Sequence, residues 1–238
     1  MEEEILKGKT LLVVDDETDL RDIVASELEF MGAKVFQAEN ISNAQKILSE
    51  NKIDLIVSDI RMPGGTGIDL LDVVKARNVD VPPVILITGF ADITNEDAFH
   101  KGAEALLNKP FKLDDLIKMV VRYTSPFQER FNEPVNGEKL ITAKVEKSQV
   151  RFGRGGLAIE VDTGGRKIDI GEPVQFKFDC QDEHFEGQGV CRWLRQLDPG
   201  TNKAIIGLEF MNLEPNSLGQ FVKVNSQQMV PYIPSFKN

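Results

Sequence analysis

Thr10-Leu11-Leu12-Val13-Val14-Asp15-Asp16-Glu17 sets a short, nearly uniform apolar run directly against three acidic residues. A run with no polar alternation reads as a strand covered on both faces, and such strands belong to parallel sheets wrapped by helices. Four similar runs follow at Lys34–Gln37, Asp54–Ser58, Val84–Thr88 and Ala105–Leu107. Between them Leu20, Ile23, Val24, Glu27, Leu28 and Met31 fall at spacings of three and four, as do Leu113, Leu116, Ile117, Val120 and Val121. Both segments read as one-sided helices. Gly32 and Gly102 close helical stretches before strands, and Pro63, Pro82 and Pro83 mark turns or strand entries. Residues 1–124 are therefore expected to form an α/β domain around a doubly wound, parallel five-stranded sheet.

The composition changes after that. Pro126, Asn132, Pro134, Asn136 and Gly137 interrupt any period, and residues 125–137 read as a linker. Residues 138–238 favour strands at Leu140–Val150, Leu157–Val161, Val174–Phe178, Val190–Leu194 and Ala204–Phe210. Turn signals such as Thr163-Gly164-Gly165 and Asp198-Pro199-Gly200 separate several of them. A small antiparallel β-barrel is expected, closed by a helix that opens at Pro215 and turns Leu218, Phe221 and Val222 to one side.

Of the 238 residues, 28 are basic and 38 acidic, a formal charge of −10. The first 124 hold 14 basic and 23 acidic residues, net −9, and the remainder 14 and 15, net −1. An acidic half repels phosphate backbones and the other half carries no basic stripe, so nucleic acid is not an expected partner. No apolar run approaches the roughly 20 residues of a membrane span, so no membrane insertion is expected. Met1-Glu2-Glu3-Glu4 lacks the basic start of a secretory signal, and a cytoplasmic location is expected. Cys180 and Cys191 have no CxxC or clustered histidine beside them and read as small buried thiols.

Asp15 and Asp16 follow the first strand, and Asp59 follows the third. Reactive groups in an open parallel sheet gather beyond the strand carboxyl ends, where the winding order reverses, so the three carboxylates converge. Packed together they repel one another, which makes sense with a cation among them or a chemical modification of one. Mg2+ suits both, as a hard ion that takes oxygen ligands and bridges carboxylate to phosphate. Lys109 and Thr88, each at the end of a later strand, can neutralise and donate to phosphoryl oxygens. Any one of these motifs alone reads as a solvated turn or an ordinary strand end. All of them at strand ends in one chain do not.

Val13-Val14-Asp15-Asp16-Glu17, Asp59-Ile60-Arg61-Met62-Pro63 through Gly67, Thr88-Gly89 and Lys109-Pro110-Phe111 resemble the motifs of two-component receiver domains, in order and at ordinary spacing. The resemblance covers about half the chain and implies a flavodoxin-like fold with Asp59 as phosphoacceptor. It further implies direct metal ligation by Asp16 and Asp59, a largely water-mediated role for Asp15, a backbone ligand from the Arg61 carbonyl, and phosphoryl sensing by Lys109 and Thr88. Asp59 would then take phosphorus from a histidine kinase or a phosphotransfer protein, with Mg2+ and Lys109 offsetting charge on the equatorial oxygens. A cis bond before Pro110 is also implied. One departure stands out: receivers often carry Tyr or Phe three residues before the lysine, where this chain has Leu106. Output is therefore expected to run through Thr88 and the segment after it.

Gly155-Gly156-Leu157-Ala158-Ile159, Gly171 through Phe176, Val190-Cys191-Arg192-Trp193 and Ile206 through Phe210, followed by a helix, resemble a PilZ domain. That family typically grips cyclic di-GMP with an Arg-x-x-x-Arg pair and an Asp/Asn-x-Ser-x-x-Gly turn. Aligning the turn on Gly156 puts Arg151 at the acidic position and Gly153 at the serine position, and Arg130 has proline four residues to either side, at Pro126 and Pro134. The domain reads as degenerate, and cyclic di-GMP is not its expected ligand. Arg151 and Arg154 remain able to meet an anion or an acidic partner, but they read first as a solvated turn. Trp193 reads as core rather than interface. The expected function is a phosphorylation-controlled signalling adaptor, not an enzyme, acting on a downstream protein partner, with homodimerisation left open. The alternative is a cyclic di-GMP sensor that binds through substitute residues. A hydrolase using the acidic pocket lacks a second catalytic motif.

Overall fold

The apolar runs become strands because parallel pairing satisfies their backbones while helices cover both faces. The computed structural model describes residues 4–77, 82–89, 92–137, 139–180, 183–198, 200–225 and 231–236. The chain divides into two units, Met1–Thr94 with Lys101–Pro126, and Asn95–His100 with Phe127–Asn238.

In chain order the first unit contains β1 (Thr10–Val14), α1 (Thr18–Phe30), β2 (Lys34–Ala38), α2 (Ile41–Glu50), β3 (Leu55–Asp59), the short strands β4 (Arg61–Met62) and β5 (Gly65–Thr66), α3 (Gly67–Arg77) and β6 (Val84–Thr88). α4 (Asn95–His100) groups with the second unit, after which β7 (Ala105–Asn108) and α5 (Leu113–Thr124) complete the first. Its sheet has the order β2-β1-β3-β6-β7, with every pair parallel. The winding therefore reverses at β1 and β3, which lie side by side with Val14 opposite Ser58. Leu11–Val14, Leu55–Val57 and Val84–Ile87 are all buried, as uniform apolar runs require. The two edge strands are the exceptions: only Ala38 is fully buried in β2, and only Ala105 in β7. β3 runs one residue later than Asp54–Ser58 because Asp54 turns its carboxylate to the Thr10 amide at 2.8 Å and begins no ladder of its own, while Asp59 ends the strand. The Lys109–Pro110 bond is cis, as the receiver resemblance implies.

One feature of this unit gave no sequence signal. Glu104 is fully buried between α4 and β7 in the chain, with Lys75 Nζ of α3 3.0 Å from both of its carboxylate oxygens and the Val84 amide 2.7 Å from Oε2. The pair locks α3 to the start of β6.

The second unit contains β8 (Lys139–Val145), β9 (Val150–Phe152), β10 (Gly156–Asp162), β11 (Pro173–Cys180), β12 (Glu183–Gln196), β13 (Lys203–Leu213) and α6 (Pro215–Asn225). The strand order is β8-β11-β12-β13-β10-β9. The sheet is mixed, not wholly antiparallel as expected: β8 runs parallel to β11, and the remaining pairs are antiparallel. The physical cause is a break in what reads as one strand, Leu140–Val150. Lys147–Gln149 forms a 3-10 turn in which the Gln149 side chain accepts from the Glu146 amide at 3.0 Å, and the chain then leaves β8 at one sheet edge and resumes as β9 at the other. β11 shows the plain alternation of a half-buried strand, with Val174, Phe176, Phe178 and Cys180 inward. They join Leu157, Ile159, Leu208, Phe210 and Phe221 in a core rich in phenylalanine. Residues 125–137 do more than connect, since Phe127–Phe131 is a 3-10 turn whose Phe131 is fully buried in that core. Trp193 is buried, and a Cβ on Gly207 would overlap its indole, so that glycine leaves room for the ring. Cys180 and Cys191 are buried free thiols. The Val222 side chain and Pro199 lie outside the described residues.

Glu104→Ala strands the Lys75 ammonium and the Val84 amide, and is expected to cost roughly 3 to 5 kcal/mol of local stability. Native-state hydrogen exchange at the amides of β6 measures it. Unchanged protection there contradicts the structural role of the pair.

Candidate functional site

Strand ends build the site. β1 stops at Val14 and hands Asp15 to the carboxyl edge of the sheet, and the neighbouring β3 ends on Asp59. Both aspartates are almost fully buried, at 3% and 5% exposure, whereas Asp16 is exposed. The Asp15 carboxylate accepts from the Glu17 amide at 2.8 Å, and the Asp59 carboxylate from the Arg61 amide at 2.6 Å. Each is thereby fixed in orientation by the turn that follows it. Gly67 is required beside them, because a Cβ there would overlap the Asp59 carbonyl; its own amide donates to Ile60 at 2.9 Å.

Lys109, one residue past β7, brings its ammonium into this edge. Nζ lies 2.8 Å from Asp59 Oδ1, 3.3 Å from Asp15 Oδ2 and 2.8 Å from Glu17 Oε1. Burial works against the lysine charge, but hydrogen bonds to Asp59 and Glu17 and the charges of Asp15 and Asp59 outweigh it and hold the pKa above its ordinary value. Lys109 is a permanent cation here. Asp15 moves the other way from most paired carboxylates: burial pushes its pKa above 3.8, the Glu17 amide and Lys109 only partly offset that, and the Asp59 charge adds to the rise.

Thr88 ends β6, buried, with its hydroxyl donating to Asp92 at 3.2 Å. Asp92 also takes the Arg61 guanidinium, at 2.7 Å through Nε and 2.5 Å through Nη2. The structure thus brings together Asp15, Asp59 and Lys109, and sets Thr88 and Arg61 on one shared carboxylate. Glu17 and Asp92 had no role assigned from sequence. Glu17 lies within the Asp15-Asp16-Glu17 run and could have been found there, whereas Asp92 sits in no motif. Among the described residues, no three His, Cys, Asp or Glu side chains are gathered in a geometry that could hold a metal.

Residues 11–121 match the response regulator receiver domain family. They form a receiver domain. The chain is 36% identical over 124 residues to the phosphate regulon transcriptional regulatory protein PhoB of Pseudomonas aeruginosa, covering 50% of this chain and 54% of that one. It is 34% identical over 119 residues to the DNA-binding transcriptional regulator NtrC of Escherichia coli, covering 50% of this chain and 25% of that one. The chain therefore spans about half the length, or less, of these curated relatives. Among solved structures it is similar to the response regulator TrrA of Thermotoga maritima in complex with Mg2+ and BeF, at 30% identity and a TM-score of 0.43, over 47% of this chain and 96% of that one.

The raised Asp15 pKa gives a signed expectation for the receiver domain. A carboxyl whose folded pKa is raised contributes stability below its unfolded value of 3.8, and that contribution is lost as pH rises through the folded value. Ionised Asp15 is then a cost at neutral pH. Without divalent ions, Asp15→Asn is expected to be more stable than the wild type by about 1 kcal/mol at neutral pH, with the difference vanishing at acid pH below 3.8. Urea unfolding at a series of pH values measures this; a variant less stable than wild type at neutral pH contradicts it.

Proposed function

We propose that the chain is a phosphorylation-controlled signalling adaptor in which Asp59 accepts a phosphoryl group and a second, PilZ-like domain passes the state to a protein partner. The observation that carries the reading is the buried Asp59 carboxylate held 2.8 Å from a permanent ammonium, beside a second buried aspartate. That is an acceptor with its charge compensation already in place. The donor is a histidine kinase or a phosphotransfer protein. An Asp59 oxygen bonds to phosphorus as the phosphorus–nitrogen bond to the donor histidine breaks, the imidazole nitrogen takes a proton from solvent, and the resulting acyl phosphate is later lost to water. Lys109 offsets charge on a phosphoryl oxygen, and Thr88 donates its hydroxyl to another after leaving Asp92.

The donor chemistry fits Mg2+: the carboxylates of Asp15, Asp16 and Asp59 and the Arg61 carbonyl are hard oxygen ligands, and the buried carboxylates of Asp15 and Asp59 both lie within reach of one Lys109 ammonium. These four residues would hold the ion, Asp15 largely through water. Bound Mg2+ supplies positive charge that bridges carboxylate and phosphoryl oxygens. We read the chain as a non-enzyme.

Support for a PilZ-like barrel comes from connectivity. β8 and β9 occupy opposite edges of the sheet yet are separated by only residues 146–149. So short a link spans at most about 18 Å, which curls the six strands toward closure. Arg151 pairs with the Ser235 carbonyl at 2.8 Å, and Gly153 and Gly155 abut the C-terminal segment, so the turn that would meet cyclic di-GMP is engaged by protein. The second half, near neutral and without a basic stripe, favours a protein partner over nucleic acid. NtrC is named DNA-binding, but what this chain shares with it is a quarter of NtrC's length. No described helix is long and apolar enough to cross a membrane, and we place the protein in the cytoplasm, with homodimerisation open.

Capture of partners by the wild type with beryllofluoride and Mg2+, by the wild type alone and by Asp59→Ala is expected to differ for the first sample only. Equal capture in all three overturns the adaptor reading. Calorimetry with cyclic di-GMP separates the alternative, a nucleotide sensor: no heat of binding is expected, and micromolar affinity would replace the adaptor reading with the sensor.

A further inference from the structure

The last described residues of the chain, Pro231–Phe236, form no helix or strand, yet Tyr232, Ile233, Pro234 and Ser235 are all buried. A buried irregular segment needs partners for its backbone. This one has them. The amides of Arg154 and Gly155 donate to the carbonyls of Pro231 and Tyr232, each at 2.9 Å, and Arg151 Nη1 donates to the Ser235 carbonyl at 2.8 Å. Main-chain groups of the segment are thus read in register by the turn between β9 and β10.

Its side chains are read as well. The Tyr232 ring lies over Gly155, where a Cβ would overlap it, and 6.4 Å from the Phe99 ring of α4. Its hydroxyl reaches the fully buried Glu209 at 3.0 Å, whose other oxygen is held by Arg192 at 2.6 Å. Ser235 donates its hydroxyl to Glu96 and its amide to His100 Nδ1 at 3.1 Å, both on α4. The Phe236 ring packs under the Arg151 guanidinium at 4.7 Å. Within this unit the turn and α4 form the two walls of a cleft, and Gly153 and Gly155 are the bare floor that lets another backbone approach.

We propose that this cleft is a peptide-recognition site and that Pro231–Phe236 is its built-in ligand, displaceable by an extended segment of the same chemistry: an aromatic residue with a hydroxyl, then proline and serine, on a protein partner. The proposal names the partner surface of the adaptor described above and rests on that reading for its biological purpose, but its peptide-binding readout is independent of Asp59. A tethered ligand competes at an effective concentration on the order of millimolar, so the cleft is closed to weak peptides until the tether lets go. Recognition through backbone amides and a tyrosine pocket gives affinity from the main chain and selectivity from the ring.

The probe is a fluorescein-labelled hexapeptide of the sequence Pro-Tyr-Ile-Pro-Ser-Phe, added in trans to the full chain and followed by polarisation. Tyr232→Ala empties the tyrosine pocket without altering the walls, and Ser235→Ala loosens the segment more gently should the first variant fail to fold. Both are expected to bind the peptide about tenfold or more tightly than the wild type does, and a peptide with alanine in place of tyrosine is expected not to bind. Binding by neither variant, or equal binding by wild type and both variants, overturns the proposal. Loss of partner capture on Asp59→Ala with peptide binding intact, or the reverse, separates the fate of this cleft from that of the phosphoryl site.

Discussion

One ion cluster constrains the receiver domain. Lys109 reaches Asp59, Asp15 and Glu17 at once, and two of those three carboxylates are buried where an uncompensated charge costs several kcal/mol. The lysine can do this only because β7 ends beside β6, and the aspartates converge only because β1 and β3 are adjacent with parallel directions. Burial raises the Asp15 pKa, whereas the burial of Lys109 is outweighed by its hydrogen bonds to Asp59 and Glu17, which hold its charge in place.

Next to this cluster, Thr88 and Arg61 meet on Asp92 rather than on the acceptor. A phosphoryl group on Asp59 would compete for the same donors, and moving them alters the residues that lead toward α4 in the chain. With Leu106 where receivers often have an aromatic residue, this polar exchange is the more direct route for a change of state. α4 in turn belongs to the second unit and takes Ser235 through Glu96 and His100.

Much of the receiver domain was legible in the sequence, because apolar runs such as Leu11–Val14, Leu55–Val57 and Val84–Ile87 can be little else than strands covered on both faces, and because strand ends in such a sheet place Asp15, Asp59, Thr88 and Lys109 predictably. Periodicity has no means of showing a buried ion pair, so nothing in the sequence marks Glu104 and Lys75. The break at Lys147–Gln149 was hidden for a related reason: Leu140–Val150 alternates well enough to pass as one strand, and only the Glu146 and Gln149 backbone contacts reveal that it is two, at opposite edges. Phe127 and Phe131 were masked by the prolines and asparagines around them. The role of Pro231–Phe236 was invisible since its partners, from Glu96 to Glu209, are far away in sequence.

The most direct test is chemical trapping of the acceptor. The protein is incubated with acetyl phosphate and Mg2+, the acyl phosphate is reduced with borohydride, and the modified peptide is mapped by mass spectrometry. Homoserine at position 59, absent when Lys109 is replaced by alanine or the ion is chelated, is the predicted result. Reduction product at another carboxylate, or none with the ion present, contradicts the assignment of Asp59 as the residue that carries the phosphoryl group.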